Sequence, residues 1–488
     1  MSEKKPSAIP SVRAIFDIGS NAVKFTAMSF REGLCIELFD REKITRFAAG
    51  LSGEGILDSP SIDRTVSAVR ELFVDTDLHP EVVDVVGTWI LREAKNAREV
   101  ADKLFHATGL HLRILSEPEE ACAGFVAVRD EMGNNEPLAT LDHGGGSTDL
   151  AWGAGIIPER TLSLPIGARR LARLIPLDDP PTFEQIDRVR HEARTLLEEI
   201  NPLPAETRLV FIGGAAAAFS VLARRFWKGS GERATTLTPE ALDVIVQKLG
   251  RMTHAERRRM MAPDHMERAD VIVHSAVAMR ELLGGLGKDT VHLSLRGVGH
   301  GVLIADARGI PLDLEAPRVV LPHADFPPLN RKGRHGEVLF ALVSNNGAIW
   351  LQRKNTYPEG IFRLPGGGID GDESSADAVR RELAEETGLH GAMPHILGRI
   401  SYITPDGTPV DFSSDLFLVF SGNHIPVTED QRENVAAWHA CPPDELPQYE
   451  NRLKNLAEPL DSWGTFRAAA LNYLREKLKR HLTSFDLL

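Results

Sequence analysis

Between Gly366 and Leu389 the chain reads GGGIDGDESSADAVRRELAEETGL, a spacing of glycine, arginine and glutamate that admits few backbones. Glu382, Glu385 and Glu386 stand at i, i+3 and i+4, so on a helix three carboxylates share one face. Like charges placed this way cost about 0.2–0.5 kcal/mol per pair in an isolated helix. A hard cation shared between them removes the conflict, and ligands that are all oxygen favour magnesium, with manganese as the other fitting ion, over zinc. Gly366, Gly367 and Gly368 turn the chain into this helix, and Gly388 suits its left-handed cap. Arg381 is placed to pair with Glu373 and brace the loop. Just upstream, strand-like runs at Gly336 to Val343 and Ala348 to Arg353 are joined by Ser344-Asn345-Asn346-Gly347, whose Asn-Gly pair predicts a hairpin.

Gly367, five residues, Glu373, seven residues, then Arg381-Glu382-Leu383-Ala384-Glu385-Glu386-Thr387-Gly388 resembles the Nudix box at every fixed position. The resemblance covers about 333 to 450 and implies an α/β/α sandwich that hydrolyses a phosphoanhydride in a nucleotide-like substrate. Its metal set would be Glu382, Glu385 and Glu386 with Glu373, while Gly367, Arg381 and Gly388 shape the loop. It also implies a downstream acid, as ligand or base. Glu433 is the candidate, with Glu429 and Asp430 as close rivals. Phe362 stands where many relatives place a tryptophan.

A second device occurs twice in the first half. AIFDIGSNAVKF and ATLDHGGGSTDLAW each run strand, aspartate, glycine turn, return strand. Two lobes facing each other across a cleft follow, each offering an aspartate, Asp17 or Asp142, and exposed amides to a phosphate or its metal. Around these, β-rich runs at 14–17, 83–86, 138–142, 209–212 and 291–295 alternate with helical patterns at 61–73, 98–108, 182–200 and 239–249, as in α/β folds.

FDIGSNAVK at 16–24, GTWILREA at 87–94, ILSEPEEA at 114–121, LDHGGGSTDL at 141–150 and LPIGARRL at 164–171 follow one another as in the exopolyphosphatase and guanosine pentaphosphate phosphatase family. FIGGAAAAF near 211, ERADVI at 267–272 and SLRGVGHGVL at 294–303 are looser matches. Over residues 12–306 the resemblance implies a two-lobed actin-like ATPase fold, related to ribonuclease H. Asp17 and Asp142 would hold magnesium or orient phosphate, Gly144, Gly145, Gly146, Ser147 and Thr148 would cradle it, and Asn21, Lys24 and Arg92 would add polar contacts. Arg46 and Arg169 are further cations of this kind. Asp149 joins Asp142 in the catalytic group, and Glu120 would face the cleft as general base, with Glu119 as its neighbouring rival. Without the resemblance, Glu117, Glu119 and Glu120 read as acidic first-turn residues of a helix. The chain departs from the family at His143, Asp149, Ala215, Gly299 and His300.

With 488 residues the chain is long enough for several cores. Residues 1–135 and 136–310 read as the two phosphatase-like lobes, 311–332 as a proline-rich linker, and 333–488 as the Nudix domain with a closing helix near 463–480. A net charge of −13 excludes global steering toward polyanions and non-specific nucleic-acid binding. Cys35, Cys122 and Cys441 form no CxxC pair, and the opening residues lack an apolar signal core, so a cytoplasmic enzyme is expected. The run Leu209 to Ala223 is too short and too rich in alanine and glycine for a membrane span. Polyphosphate, guanosine penta- or tetraphosphate and nucleoside diphosphate derivatives are the expected substrates, and a homodimer is left open. Two function classes follow. In one, both halves hydrolyse phosphoanhydrides; in the other, the first half binds polyphosphate or an alarmone and regulates the second.

Overall fold

Apolar runs with few interruptions, such as Ala14–Phe16 and Val83–Val86, are what a strand covered on both faces requires. In the computed structural model they lie at the centre of the first sheet. The structure describes residues 11–31, 34–133, 135–198, 200–227, 235–315, 317–321, 335–429 and 433–481.

The first unit runs β1 (Ser11–Ile18), β2 (Ala22–Arg31), β3 (Leu34–Ile44), α1 (Ser59–Val74), β4 (Val83–Gly87), α2 (Trp89–Glu93), α3 (Ala97–Thr108), β5 (Leu112–Ile114) and α4 (Glu117–Met132). The second runs β6 (Leu138–His143), β7 (Thr148–Gly153), β8 (Arg160–Leu164), α5 (Ala168–Leu174), α6 (Phe183–Thr195), β9 (Arg208–Ile212), α7 (Gly213–Phe226), β10 (Thr236–Leu237), α8 (Pro239–Gly250), α9 (His254–Met260), α10 (Ile272–Gly285), β11 (Val291–Leu293) and α11 (Val298–Arg308). Their sheets have the orders β3-β2-β1-β4-β5 and β8-β7-β6-β9-β11-β10. Read from the hairpin outward, the first five strands of each are connected alike, antiparallel then parallel. The repeated sequence device is therefore a repeated fold. One helix crosses over: α11, in the stretch read as the second lobe, buries Val298, Val302 and Leu303 with Ile15, Val86 and Val126 of the first unit. Its apolar face is completed by residues of β1, β2, β4 and α4.

The last unit contains β12 (Arg318–Val320), β13 (Gly336–Ser344), β14 (Ile349–Lys354), β15 (Gly366–Gly368), α12 (Ser375–Thr387), β16 (His395–Ile403), β17 (Pro409–Gly422), β18 (Val435–Cys441), α13 (Leu446–Lys454) and α14 (Asp461–His481). Its sheet has the order β12-β16-β17-β13-β14-β18, with β15 on β13. The Asn-Gly hairpin forms as its sequence predicts, with Gly347 at φ 80°. Helix α12 packs on one face of the sheet, and α13 and α14 cover the other.

Within the stretch read as a linker, Arg318–Val320 is a strand paired with β16, and Leu312 and Leu321 are buried. Residues 316 and 322–332 lie outside the described residues. The two halves also share buried polar contacts. Asp84, Arg113 and Asp306 of the first half meet His395 of β16, with Arg113 Nη2 at 2.6 Å from Asp84 and His395 Nδ1 at 2.9 Å from Asp306. Two aspartates and a histidine at this spacing could take a metal ion. Arg113 already fills the cation's place, so the cluster is an ion network across the junction. His111 and Phe420 stack beside it with ring centres 4.1 Å apart. No helix among the described residues is long and apolar enough to cross a membrane.

Candidate active sites

Asp17 and Asp142 sit at the carboxyl ends of β1 and β6, where open α/β sheets leave their crevice. The two hairpins share a register. Asp17 lies opposite Lys24 across β1 and β2, and Asp142 lies opposite Asp149 across β6 and β7. Both pairs are seven residues apart in sequence, so the hairpin geometry delivers all four side chains to one cleft.

That cleft is lined by Asp17, Asn21, Lys24, Glu120, Asp142, His143, Gly144, Gly145, Gly146, Ser147 and Asp149. Ser20, Thr88, Trp89, Gly213, Gly214, Arg268 and Gly297 also line it, and sequence reasoning did not single these out. Arg268 lies in the ERADVI segment and Trp89 in GTWILREA, so the segments carried the signal without the residues. Gly213 has φ +79°, and a Cβ there would come within 2.8 Å of Asp142 Oδ1. Arg268 Nη2 occupies the space a Cβ on Gly214 would need.

Helix α4 presents Glu120. Ser116 caps it, with Glu119 returning a bond to the Ser116 amide in a capping box. Glu119 therefore faces away from the chemistry. Glu120 Oε2 accepts from Arg92 Nη1 at 2.7 Å, and the same nitrogen donates to Leu115 O at 2.7 Å. Arg92 thus holds the candidate base and is not among the residues lining the cleft. Thr148 also lies behind the turn, fully buried, donating to Ile166 O at 2.7 Å. Arg169 donates to Asn21 Oδ1 at 2.9 Å and pairs with Asp270. Arg46 pairs with Glu267.

Burial raises all four cleft acids. Asp17 is pushed up to about 6, with Lys24 opposing. Asp142 is pushed up to about 7, again against Lys24 and with help from Asp149. Glu120 rises to about 7 through burial, which outweighs Arg92. Asp149 rises to about 7 through burial and the neighbouring Glu120. Among the described residues Asp17 Oδ1, Asp149 Oδ1 and Asn21 Nδ2 are buried without a hydrogen-bond partner. Hard oxygens that are crowded, desolvated and unpartnered fit a divalent cation.

His143 is packed and neutral, its pKa held down to about 4 by burial and Arg268. Thr148 spends its one hydrogen on Ile166 O, so its oxygen accepts from His143 Nδ1 at 2.8 Å. His300 receives the Gly297 amide at Nδ1 and lies 2.8 Å from Glu37 at Nε2.

In the last unit the glutamates of α12 converge as the helical spacing requires. Arg381 makes two bonds to Glu373, at 3.0 and 2.9 Å, and reaches Glu382 at 2.7 Å and Glu385 at 3.2 Å. The bonds of Arg381 to both Glu373 oxygens brace the loop. Glu386, fully buried, accepts from the Gly366 amide at 2.7 Å and Gln352 Nε2 at 2.8 Å. Lys354 lies 3.1 Å from Glu386 and 2.5 Å from Glu433, which draws the downstream acid to the helix face. Burial tends to raise Glu433, but the bond and charge of Lys354 bring it below the usual carboxylate range. Glu382 is pushed up to about 7 by burial and by Glu386 and Glu433. Glu429 turns to His390 at 3.3 Å, and Asp430 lies outside the described residues. A Cβ on Gly367 would come within 2.1 Å of Glu382 Oε1, so a side chain there would displace that carboxylate. Lys354 and Gln352 were not foreseen: they come from β14, far from the motif in sequence.

Residues 28–308 match the model of the Ppx/GppA phosphatase family. The chain belongs to that family. Residues 333–462 match the NUDIX domain. The Ppx/GppA part is 27% identical over 299 residues to exopolyphosphatase 1 of Mycobacterium leprae, covering 59% of this chain and 88% of that protein. It is 29% identical over 319 residues to exopolyphosphatase 2 of Mycobacterium tuberculosis, covering 61% and 99%. A solved Ppx/GppA enzyme of Aquifex aeolicus is 25% identical with a TM-score of 0.51, covering 60% of this chain and all of that one. Both families are hydrolases acting on phosphoanhydrides, and both generally use divalent metals. The fold is thus an actin-like Ppx/GppA module followed by a Nudix domain.

Proposed function

We propose that the Ppx/GppA module releases terminal phosphate from polyphosphate or guanosine pentaphosphate. The observation that carries this reading is Glu120, a cleft carboxylate held by Arg92 and set among Asp17, Asp142 and Asp149. A group titrating near 7 is matched to accept a proton at neutral pH. Water attacks the terminal phosphorus as Glu120 takes its proton; the bond to the bridging oxygen breaks, and that oxygen leaves with the electron pair on the shortened chain. Lys24 and the amides of the Gly144–Gly146 turn hold the phosphoryl oxygens. Asp17, Asp142 and Asp149 would hold magnesium, which neutralises phosphoryl charge when bound.

Among the departures from the family, Asp149 lies within this set and keeps a carboxylate in the cleft. His143 is neutral and bonded to Thr148, and His300 is occupied by Glu37. The sensor reading is accordingly not favoured. Phosphate release from polyphosphate by the full chain with magnesium tests the proposal. Glu120→Gln is expected to bind polyphosphate and release phosphate at least about tenfold more slowly, at the low side of what a general base contributes. Unchanged release in that variant overturns the assignment.

For the Nudix domain we propose cleavage of a diphosphate linkage in a nucleoside diphosphate derivative. Glu382, Glu385 and Glu386 would hold magnesium there, with Glu433 as a further ligand or base. The convergence of Glu433 on Glu386 through Lys354 supports this. Product analysis with nucleoside diphosphate derivatives tests it, and Glu433→Gln at wild-type rate removes Glu433 from the reaction.

A further inference from the structure

Arg13 is 5% exposed, yet its Nη1 has no hydrogen-bond partner among the described residues. A guanidinium carries five donors and keeps its charge, so burying its Nη1 without a partner is costly. Arg13 lines a cavity of about 300 Å³ between β1 and α12, together with Arg380 and His390. Leu383, Met393 and Val82 form apolar walls.

The nearby acids are already engaged. Arg380 pairs with Asp377 at 2.9 Å and His390 with Glu429 at 3.3 Å. Asp306, the acid felt most strongly by Arg13, is bonded to His395, Arg113 and the Ile396 amide. Burial, and secondarily the charge of Arg380, lower Arg13 to about 10.

We propose that this cavity binds a phosphorylated small molecule, its phosphoryl group held by Arg13 and Arg380 and its apolar part lying on Leu383 and Met393. Two guanidinium groups suit a phosphoryl dianion, which they grip in bidentate fashion. The volume sits at the lower end of the roughly 300–1,000 Å³ of small-molecule sites, more than a bare phosphate fills. An occupant joins the two modules, because Arg13 lies on β1, the strand that carries Asp17, and Arg380 lies two residues before Glu382.

The test is equilibrium dialysis of the full chain in EDTA, with inorganic phosphate and guanosine 5′-diphosphate as probes. Without metal no turnover is read, so failure of the catalytic assignments does not affect the result. Arg13→Met and Arg380→Met are each expected to weaken binding at least tenfold, while Asp142→Asn and Glu385→Gln bind as the unaltered chain does. Arg380 is partly exposed, so its variant stands as the test if Arg13→Met fails to fold. At least tenfold tighter binding of the nucleotide identifies a nucleotide site, and equal binding identifies free phosphate as the ligand. No binding by the unaltered chain, or equal binding by both arginine variants, overturns the proposal.

Discussion

Lys477 Nζ lies 2.8 Å from Glu119 Oε1, joining the last helix of the chain to the first turn of α4. It also lies 2.6 Å from Asp313, and Lys477 and Glu119 are both buried. Glu120 is the next residue and is held from its other side by Arg92. The helix turn that carries the candidate base is therefore clamped between two cations, one from each half of the molecule. Removing one partner of a buried ion pair costs about 3–5 kcal/mol. Lys477→Met is expected to lower the thermal unfolding temperature and the rate of phosphate release, and Lys477→Arg to recover part of both. Unfolding at an unaltered temperature would show that the contact carries no stability.

Phosphate release is expected to rise with pH through about 7, because Glu120 accepts a proton only when ionised and burial holds it at about 7. Glu120→Gln removes this limb. Arg92 pulls the Glu120 pKa down, so Arg92→Met is expected to move the limb to higher pH. A pH–rate profile of the three proteins decides the matter. A limb that stays in place without Arg92 contradicts the pairing.

The same acids link stability to pH. Asp142 stands at about 7 against an ordinary 3.8, and Asp17, Asp149 and Glu120 are raised in the same sense. Between their ordinary values and about 7 the folded chain binds more protons than the unfolded one. The contribution is fully present below the ordinary values and is lost as pH rises through the raised ones. In EDTA the melting temperature is expected to fall between pH 5 and pH 8, less steeply in Asp142→Asn. Magnesium is expected to raise it more at pH 8 than at pH 5. Equal magnesium shifts at both values would detach the carboxylates from the metal.

In the Nudix domain Glu385 and Glu386 are expected to matter equally for turnover and unequally for folding. Glu386 is fully buried and compensates Lys354, so Glu386→Gln costs about 1–3 kcal/mol. Glu385 is partly exposed, and Glu385→Gln is close to neutral for folding. Both are expected to abolish hydrolysis by removing a metal ligand. Calorimetric unfolding alongside nucleotide hydrolysis checks both halves of the statement. Full hydrolysis by both variants rules out the metal site.

Much of the candidate chemistry was legible in the chain because it is local. The i, i+3, i+4 spacing placed Glu382, Glu385 and Glu386 on one face, and two aligned strand-turn-strand segments marked Asp17 and Asp142 as counterparts. Hairpin register then accounts for Lys24 and Asp149, seven residues further on in each case. Arg92 was read as a phosphate contact; its Nη1 bonds Glu120 and Leu115 O, a pairing made between segments 28 and 23 residues apart.

What sequence alone determined is whatever a single helix turn or hairpin specifies: the carboxylate face, the glycine turns, the caps and the repeat. Tertiary structure decided which of two adjacent glutamates meets the cleft, because Ser116 and Lys477 bind Glu119 while Arg92 binds Glu120. It also decided how separate the halves are. The proline-rich stretch reads as a linker, and within it Arg318–Val320 pairs with β16, while Asp306 and Asp313 reach His395 and Lys477. Buried charges find partners wherever the folded chain brings opposite charge, at sequence distances that local pattern does not encode.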